Sequence, residues 1–374
     1  MKTKKIPFLD LKRQNSLVHD EITEKLRHIF ESSGFICGKY VNEFEKAFAE
    51  YLHVNYCICV DSGTSALITA LMAEGIGPGD EVLVPVNTFI ATAEAVSILG
   101  ATPVFIDIDP STYLIETDKI EEKITEHTRA IIPVHLYGQC ADMDEITKTA
   151  KKHGIHIIED ACQAHGAEYK GKKSGSMGDV GCFSFYPGKN LGAWGEGGAI
   201  VTDNEHLADK IYKIRNHGGQ KKYQHEMIGG NFRMEEIQGA VLGTKLKFLE
   251  KWNRKRRKAA ELYFEALKKL AEEEKIVLPN ANAYNKHVFH LFVLQVNKDR
   301  KEVIDCFNKN QVEYGIHYPE PLHLTRAFAC LGYKKGDFPV SERLQRHIIS
   351  LPMGEHLSDN DIFYISEVLS LALS

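Results

Sequence analysis

Between residues 56 and 202 short apolar runs recur, each about as long as one buried strand: YCICV (56–60), EVLVP (81–85), PVFIDI (103–108), AIIPV (130–134), IHIIED (155–160) and GAIVT (198–202). β-Branched residues dominate most of them, and amphipathic stretches such as TSALITALMAEG and DMDEITKTAKKHG lie between several. A short apolar strand and a one-striped helix each need a partner surface. Their alternation is satisfied by a mainly parallel sheet covered by helices, so the fold class expected is α/β. Sheets of this kind bind ligands at the carboxyl ends of their strands. Chemistry is therefore expected just after these runs.

Near residue 250 the pattern changes. KFLEKWNRKRRKAAELYFEALKKLAEEEK reads as one long charged helix, followed by HVFHLFVLQV (287–296), a helix-like KEVIDCFNKNQ, a short strand into GIHYPEPLH, and a terminal helix over about 358–372. The length of 374 residues suits two domains. We expect a large domain over 1–249, its first ~20 residues packing as an arm or helix, and a smaller α/β domain over 250–374. A net charge of −5 gives no reason to expect nucleic acid as a partner, and the basic run KWNRKRRK (251–258) is expected to be a solvated helix face. No apolar run reaches membrane-spanning length. The amino-terminal MKTKKIPFLDLKRQ lacks the apolar core of a signal peptide. The eight cysteines are scattered without a CxxC pair, and there is no HExxH motif, so reduced thiols and a cytoplasmic location are expected, with no metal.

Three places carry candidate chemistry. In DSGTSALITAL (61–71), Gly63, Thr64 and Ser65 sit where a helix opens after a strand, a ready site for an anion such as phosphate. The same residues also suit a plain helix cap made by Ser62 or Thr64. In IIEDACQAHGA (157–167), Glu159 and Asp160 end a buried strand, where a carboxylate is costly without a partner. Asp160 suits a cationic ligand group, with Gln163 as a second hydrogen-bonding arm; capping the next segment is the plainer role. In FSFYPGKNLGAWGEGGAIVT (183–202), Lys189 lies between a strand-like run and glycines that allow close backbone approach. An amine held in such a pocket loses hydration and basicity and becomes nucleophilic, which suits a Schiff base with a carbonyl. Phosphate site, carboxylate and amine together match the three functional groups of pyridoxal 5′-phosphate (PLP). Phe89, in VNTFIATAEA, is placed to stack on the ring, although an aromatic there also suits the core. GAEYKGKKS departs from a P-loop, since Lys173 stands where Ser or Thr is needed, and YKGKKSGSMGD reads as a hairpin.

The succession SGTSAL, NTFIATAEA, EDACQAHGA, FSFYPGKNLGAWGEGGA and GGNFRMEEIQGA resembles the DegT/DnrJ/EryC1/StrS family of sugar aminotransferases, from IPFLDLKRQ through HYPEPLH to LPM. The resemblance implies the fold-type I, aspartate aminotransferase-like architecture, a homodimer with shared active sites, PLP, a nucleotide-linked keto-sugar and L-glutamate as amino donor. It implies that Lys189 is the Schiff-base lysine, that Asp160 partners the pyridine nitrogen and that Gln163 meets the phenolic oxygen. Thr64, Ser65 and Ser184 match phosphate ligands, Asn231 a phosphate contact from the neighbouring subunit, and Phe89 the stacking aromatic. His317, Tyr318 and His323 match positions lining the sugar-nucleotide site. FYPGKNLGA is similar to the subgroup that aminates C3 of a hexose: Tyr186 stands in place of a histidine, and Leu191-Gly192-Ala193 in place of threonines, typical of the C4 subgroup. The expectation is amination of a dTDP-3-oxo-6-deoxyhexose or UDP-3-oxo-N-acetylglucosamine type of substrate. The alternatives are a 4-keto-sugar aminotransferase, a non-catalytic PLP-binding regulator, and a sugar-nucleotide binding module without PLP.

Overall fold

The computed structural model describes residues 5–221 and 223–374; the first four residues of the expected amino-terminal arm lie outside the described residues. Helices α1 (Leu11–Ser16), α2 (His19–Ser32) and α3 (Lys39–Leu52) precede the first strand. α3 spaces Val41, Phe44, Phe48 and Leu52 three or four residues apart and buries all four, the stripe of a helix lying on a core. Phe48 meets Phe183, and Phe44 meets Phe185, edge to face with ring centroids 5.1 and 5.3 Å apart.

The central sheet contains β1 (Tyr56–Val60), β2 (Glu81–Pro85), β3 (Thr102–Ile106), β4 (Thr128–Ile131), β5 (His156–Asp160), β8 (Val180–Ser184) and β9 (Gly198–Thr202), in the order β1-β9-β8-β5-β4-β2-β3. Adjacent pairs from β8 to β3 are parallel, whereas β9 runs antiparallel to both β8 and β1. The six other strands therefore share one direction and bring their carboxyl ends to one edge. The GAIVT run is a strand as expected but reversed, because the chain returns from β8 without a crossover helix. Helices α4 (Gly63–Ala73), α5 (Ala91–Ile98), α6 (Met143–His153) and α7 (Glu205–Arg215) pack with these strands, and α8 (Glu236–Leu246) packs on α3. The expected hairpin is present: β6 (Glu168–Tyr169) and β7 (Lys172–Lys173) flank Lys170-Gly171, both at positive φ, as a two-residue hairpin turn requires.

The long charged segment forms α9 (Leu249–Glu272), followed by β10 (Ile276–Val277), β11 (Asn285–Lys286), β12 (Phe292–Val296), α10 (Arg300–Lys309), α11 (Pro339–His347), β13 (Ile348–Leu351) and α12 (Asp359–Ala372). β10, β12 and β13 form a second, antiparallel sheet. The KWNRKRRK run differs from its expected solvated state. Trp252, Asn253 and Arg256 are buried while Arg254, Lys255 and Lys258 are exposed, because helical spacing turns every third or fourth residue inward. Arg256 Nη1 donates to the carbonyls of Phe289, His290 and Met353 at 3.2, 3.3 and 3.3 Å. GIHYPEPLH contributes only the bridge Gly315–Ser350 to β-structure. Among the described residues no helix is long and apolar enough to cross a membrane.

Phe48 has no solvent exposure and touches Phe44, Tyr51, Phe183 and Phe185. Phe48→Ala should lower stability by about 3–5 kcal/mol, read as a shifted urea midpoint with an unchanged slope.

Candidate active site

The shared carboxyl edge of β1, β2, β5 and β8 collects most of the singled-out residues. After β1, Ser62 caps α4: its Oγ accepts from the Ser65 N–H at 3.1 Å and donates to Ser65 Oγ at 3.0 Å. Ser62 rather than Thr64 thus supplies the cap. A Cβ on Gly63 would stand 2.5 Å from Ser184 Cβ, and one on Gly198 would stand 2.2 Å from the Ser62 carbonyl oxygen. The two glycines let the helix amino terminus close onto the ends of β8 and β9. Gly63, Thr64, Ser65 and Ser184 are thereby gathered at a helix terminus that carries partial positive charge.

The two acids that end β5 point apart, as alternating side chains of a strand must. Glu159 faces the loop before β8. It lies 2.7 Å from His135 Nε2 and accepts N–H groups from Gly175 at 2.8 Å and from Met177 and Gly178 at 2.6 Å each. Asp160 faces the cluster. Its Oδ2 accepts from the Thr92 hydroxyl at 2.8 Å and its Oδ1 from the Cys162 N–H at 3.1 Å. Gln163 is spanned at both ends: its Oε1 accepts from the Tyr137 N–H at 2.8 Å and its Nε2 donates to Tyr318 Oη at 3.0 Å. Phe89 is 53% exposed, so it is not a core residue, and its ring lies 5.9 Å from that of Tyr318.

Lys189 sits in the loop between β8 and β9, with its N–H donating to the Tyr186 carbonyl at 2.9 Å. Burial holds its amine below the usual lysine range, while the neighbouring Cys162 and Asp160 act in the opposite sense. Buried side chains fix the loop on both sides of the amine. Asn190 Nδ2 donates to Asn253 Oδ1 at 2.9 Å and to the Val288 carbonyl at 3.2 Å, and Asn190 Oδ1 lies 3.1 Å from His290 Nδ1. Lys245, 1% exposed, donates to the Gly192 carbonyl at 2.8 Å and to Gln14 Oε1 at 3.2 Å, and burial pushes its pKa down to about 8.

His317 lies close enough for Lys189 to affect it: burial, then that lysine, push its pKa down to about 4. Its ring stacks on Phe8 at 5.9 Å, and its Nδ1 is 2.8 Å from Ser350 Oγ. Tyr186 is exposed, and its N–H donates to Ser184 Oγ at 3.3 Å. His323 is not brought into the cluster: it is buried against Phe338, with its Nε2 3.0 Å from Glu342. Asn231, expected to serve the neighbouring subunit, is exposed and bridges to Asn216. Sequence reasoning passed over Thr92, Tyr137, Asn190, His290 and Lys245. Thr92 carried a signal, since it lies four residues beyond Thr88 in a segment that follows a strand, and their hydroxyl oxygens are 2.9 Å apart. The others act across large sequence separations that no local pattern reveals.

The family model described as the DegT/DnrJ/EryC1/StrS aminotransferase family matches residues 17–370. The chain is 43% identical over 365 residues to the dTDP-3-amino-3,6-dideoxy-alpha-D-galactopyranose transaminase of Aneurinibacillus thermoaerophilus, across 98% of this chain and 99% of that protein. It is 42% identical over 368 residues to the UDP-N-acetyl-3-dehydro-alpha-D-glucosamine 3-aminotransferase of Acidithiobacillus ferrooxidans, across 98% of each. Among solved structures it is similar to Streptomyces venezuelae DesV in complex with a ketimine intermediate, with a TM-score of 0.95, 40% identity and 99% of each chain covered.

His165, fully buried with its ring 5.5 and 5.6 Å from those of Phe183 and Phe185, has its pKa pushed down to about 3, by burial first and by Lys189 second. In the unfolded chain it ionises near 6.5. Below that value the unfolded state binds the extra proton, so this residue's contribution to stability falls as pH falls. His165→Phe should therefore gain stability relative to wild type between about pH 6.5 and pH 4, by roughly 1.4 kcal/mol per pH unit. Urea midpoints of both proteins across that range measure it, and a pH-independent difference would contradict a neutral buried imidazole.

Proposed function

The chain belongs to the DegT/DnrJ/EryC1/StrS aminotransferase family, and on that premise we propose that it transfers the amino group of L-glutamate to C3 of a nucleotide-linked 3-keto-hexose. The substrate is of the dTDP-3-oxo-6-deoxyhexose or UDP-3-oxo-N-acetylglucosamine type, and the product is a 3-amino sugar for amino-sugar biosynthesis. The observation that carries this reading is the Lys189 amine, which desolvation holds below the usual lysine range beside Asp160. The names of the two relatives, both 3-amino or 3-keto sugar-nucleotide enzymes, support C3 over C4.

The family's aminotransferases are PLP-dependent, and the donor set fits that cofactor. The helix terminus that Gly63 and Gly198 draw onto Ser184 suits a phosphate. Asp160, oriented by Thr92, suits a protonated ring nitrogen, and the depressed amine of Lys189 suits an aldehyde. Bound PLP supplies that aldehyde and a ring that withdraws electrons from the reacting carbon.

The chain's own groups do the rest. Lys189 Nζ, less basic than a surface amine, is available as nucleophile and would move the proton, taking it from the α-carbon of glutamate and, in the second half-reaction, delivering one to C3 of the keto-sugar. Asp160 would hold a protonated ring nitrogen, Gln163, tied to Tyr318, would meet the phenolic oxygen, and Phe89 would lie against the ring face. Gly63, Thr64, Ser65 and Ser184 would hold the cofactor's phosphate, joined by Asn231 from the second subunit of a homodimer. Exposed Phe30, Phe35, Ile36 and Ile228 support such a partner surface. Tyr186, His317 and Tyr318 line the sugar-nucleotide side, whereas we assign His323, held by Glu342, to supporting that side from within. We take residues 1–249 as the cofactor-bearing domain, 250–374 as the smaller one, and the cytoplasm as the location.

Lys189→Ala should lower turnover by ~10²–10⁴-fold or more, followed as 2-oxoglutarate released from glutamate in the presence of a panel of dTDP- and UDP-linked keto-sugars. Near wild-type turnover without added amine would remove Lys189 from this role. The wild-type product should carry its new amine on C3 by NMR. An amine on C4 would establish the 4-keto reading instead, and failure to convert glutamate at all would favour a non-catalytic protein.

A further inference from the structure

At the amino end of the central strands, the edge opposite Lys189, three side chains converge that the transamination chemistry does not use. Glu74 directly follows α4, His156 opens β5 and Asp179 directly precedes β8. His156 Nδ1 lies 3.3 Å from Glu74 Oε2 and 3.9 Å from Asp179 Oδ2. One donor atom from each residue falls within 4.8 Å of the others. Donors held by one zinc ion at about 2.0–2.1 Å in a tetrahedron stand ~3.3 Å apart. The three donors are thus near ligating distance, with the widest separation needing to shrink by at most about 1.5 Å.

The Glu74 carboxylate points to a ligand independently of this proximity. Its side chain is only 6% exposed, and its Oε1 is buried without a hydrogen-bond partner. A half-satisfied buried carboxylate is costly, and a cation beside it relieves that cost. Asp179 is preset for the same role. Its Oδ2 accepts from the Ile157 N–H at 2.8 Å, its own N–H donates to the Ile157 carbonyl at 2.9 Å, and its carbonyl accepts from the Thr202 hydroxyl at 2.8 Å. Such outer bonds orient ligands in metal sites. His156 and Asp179, 45% and 49% exposed, leave an entry path. Lys210, which donates to the Ala73 carbonyl at 3.2 Å, adds a positive charge near Glu74 and opposes a second cation.

We propose that Glu74, His156 and Asp179 bind one divalent cation of the zinc type, with water completing the shell. One imidazole and two carboxylates favour a first-row transition ion over Mg²⁺. The bound ion ties the end of α4 to β5 and β8, away from the reacting centre. The competing arrangement is a metal-free one, with His156 paired directly to both acids.

The test uses PLP-loaded enzyme freed of metal with EDTA and then titrated with Zn²⁺ by calorimetry and with Co²⁺ by visible absorption. One equivalent per chain should depend on the cluster. His156→Ala and Glu74→Gln should each weaken it by about tenfold or more, and Lys210→Met should strengthen it several-fold, a change of opposite sign that a merely structural role for the cluster would not produce. Transaminase activity should survive His156→Ala. Glu74→Gln is close to isosteric and Lys210→Met removes only a charge, so both keep the test open if His156→Ala fails to fold. Wild-type protein that takes up no metal, isotherms that coincide between wild type and Glu74→Gln, or Co²⁺ spectra dominated by thiolate bands from the free cysteines would each overturn the proposal.

Discussion

Glu159 has no exposure to solvent, yet it ends a strand in the middle of the largest sheet. A charge in that position must find partners from the chain itself, and it finds four: His135 and the N–H groups of Gly175, Met177 and Gly178. Those bonds fold the segment before β8 back against β5. Because side chains alternate along a strand, fixing Glu159 on one side commits Asp160 to the other, where Thr92 and the Cys162 N–H receive it. The side of the sheet that carries the candidate site thus inherits its geometry from a buried acid on the opposite face. The next strand, β8, carries the same arrangement forward to Ser184 and the loop of Lys189.

Much of this was legible before any coordinates. β-Branched runs bounded by turns mark strands wherever both faces are covered, and YCICV, EVLVP and GAIVT coincide with β1, β2 and β9 residue for residue. The candidate reactive residues stood out for a related reason: a lysine among glycines and an acid at the end of an apolar run violate local rules, as functional sites do. Strand direction was not legible, since GAIVT reads alike in either sense and only the short return from β8 decides it. β13 was missed because α11 passes directly into it, with no glycine or proline between His347 and Ile348. The buried face of α9 was hidden by its charge: Arg256 belongs to a basic run, and only the carbonyls of distant loops reveal that it points inward.

The supporting residues around Lys189 illustrate the same limit. Asn190 reaches Asn253 and Val288, and Lys245 reaches Gly192 and Gln14, across separations of 53 to 231 residues. No window along the chain contains both partners of any of these bonds. Their physical effect is nevertheless local: two carbonyls and three side-chain amides that would otherwise seek water are satisfied by protein, so protein contacts hold the loop bearing the amine.

Gly198 has a consequence beyond close packing. It stands opposite Ser184 in the β8–β9 pairing and opposite Val60 in the β1–β9 pairing, and any Cβ there would collide with the Ser62 carbonyl. Were β9 to slide by one residue during folding, Ala199 would arrive at that point and its methyl would find no space. The glycine therefore guards against that slip. A sheet in which Ala199 occupied this point would leave the α4 terminus unable to seat, and with it the candidate anion-binding end of the site.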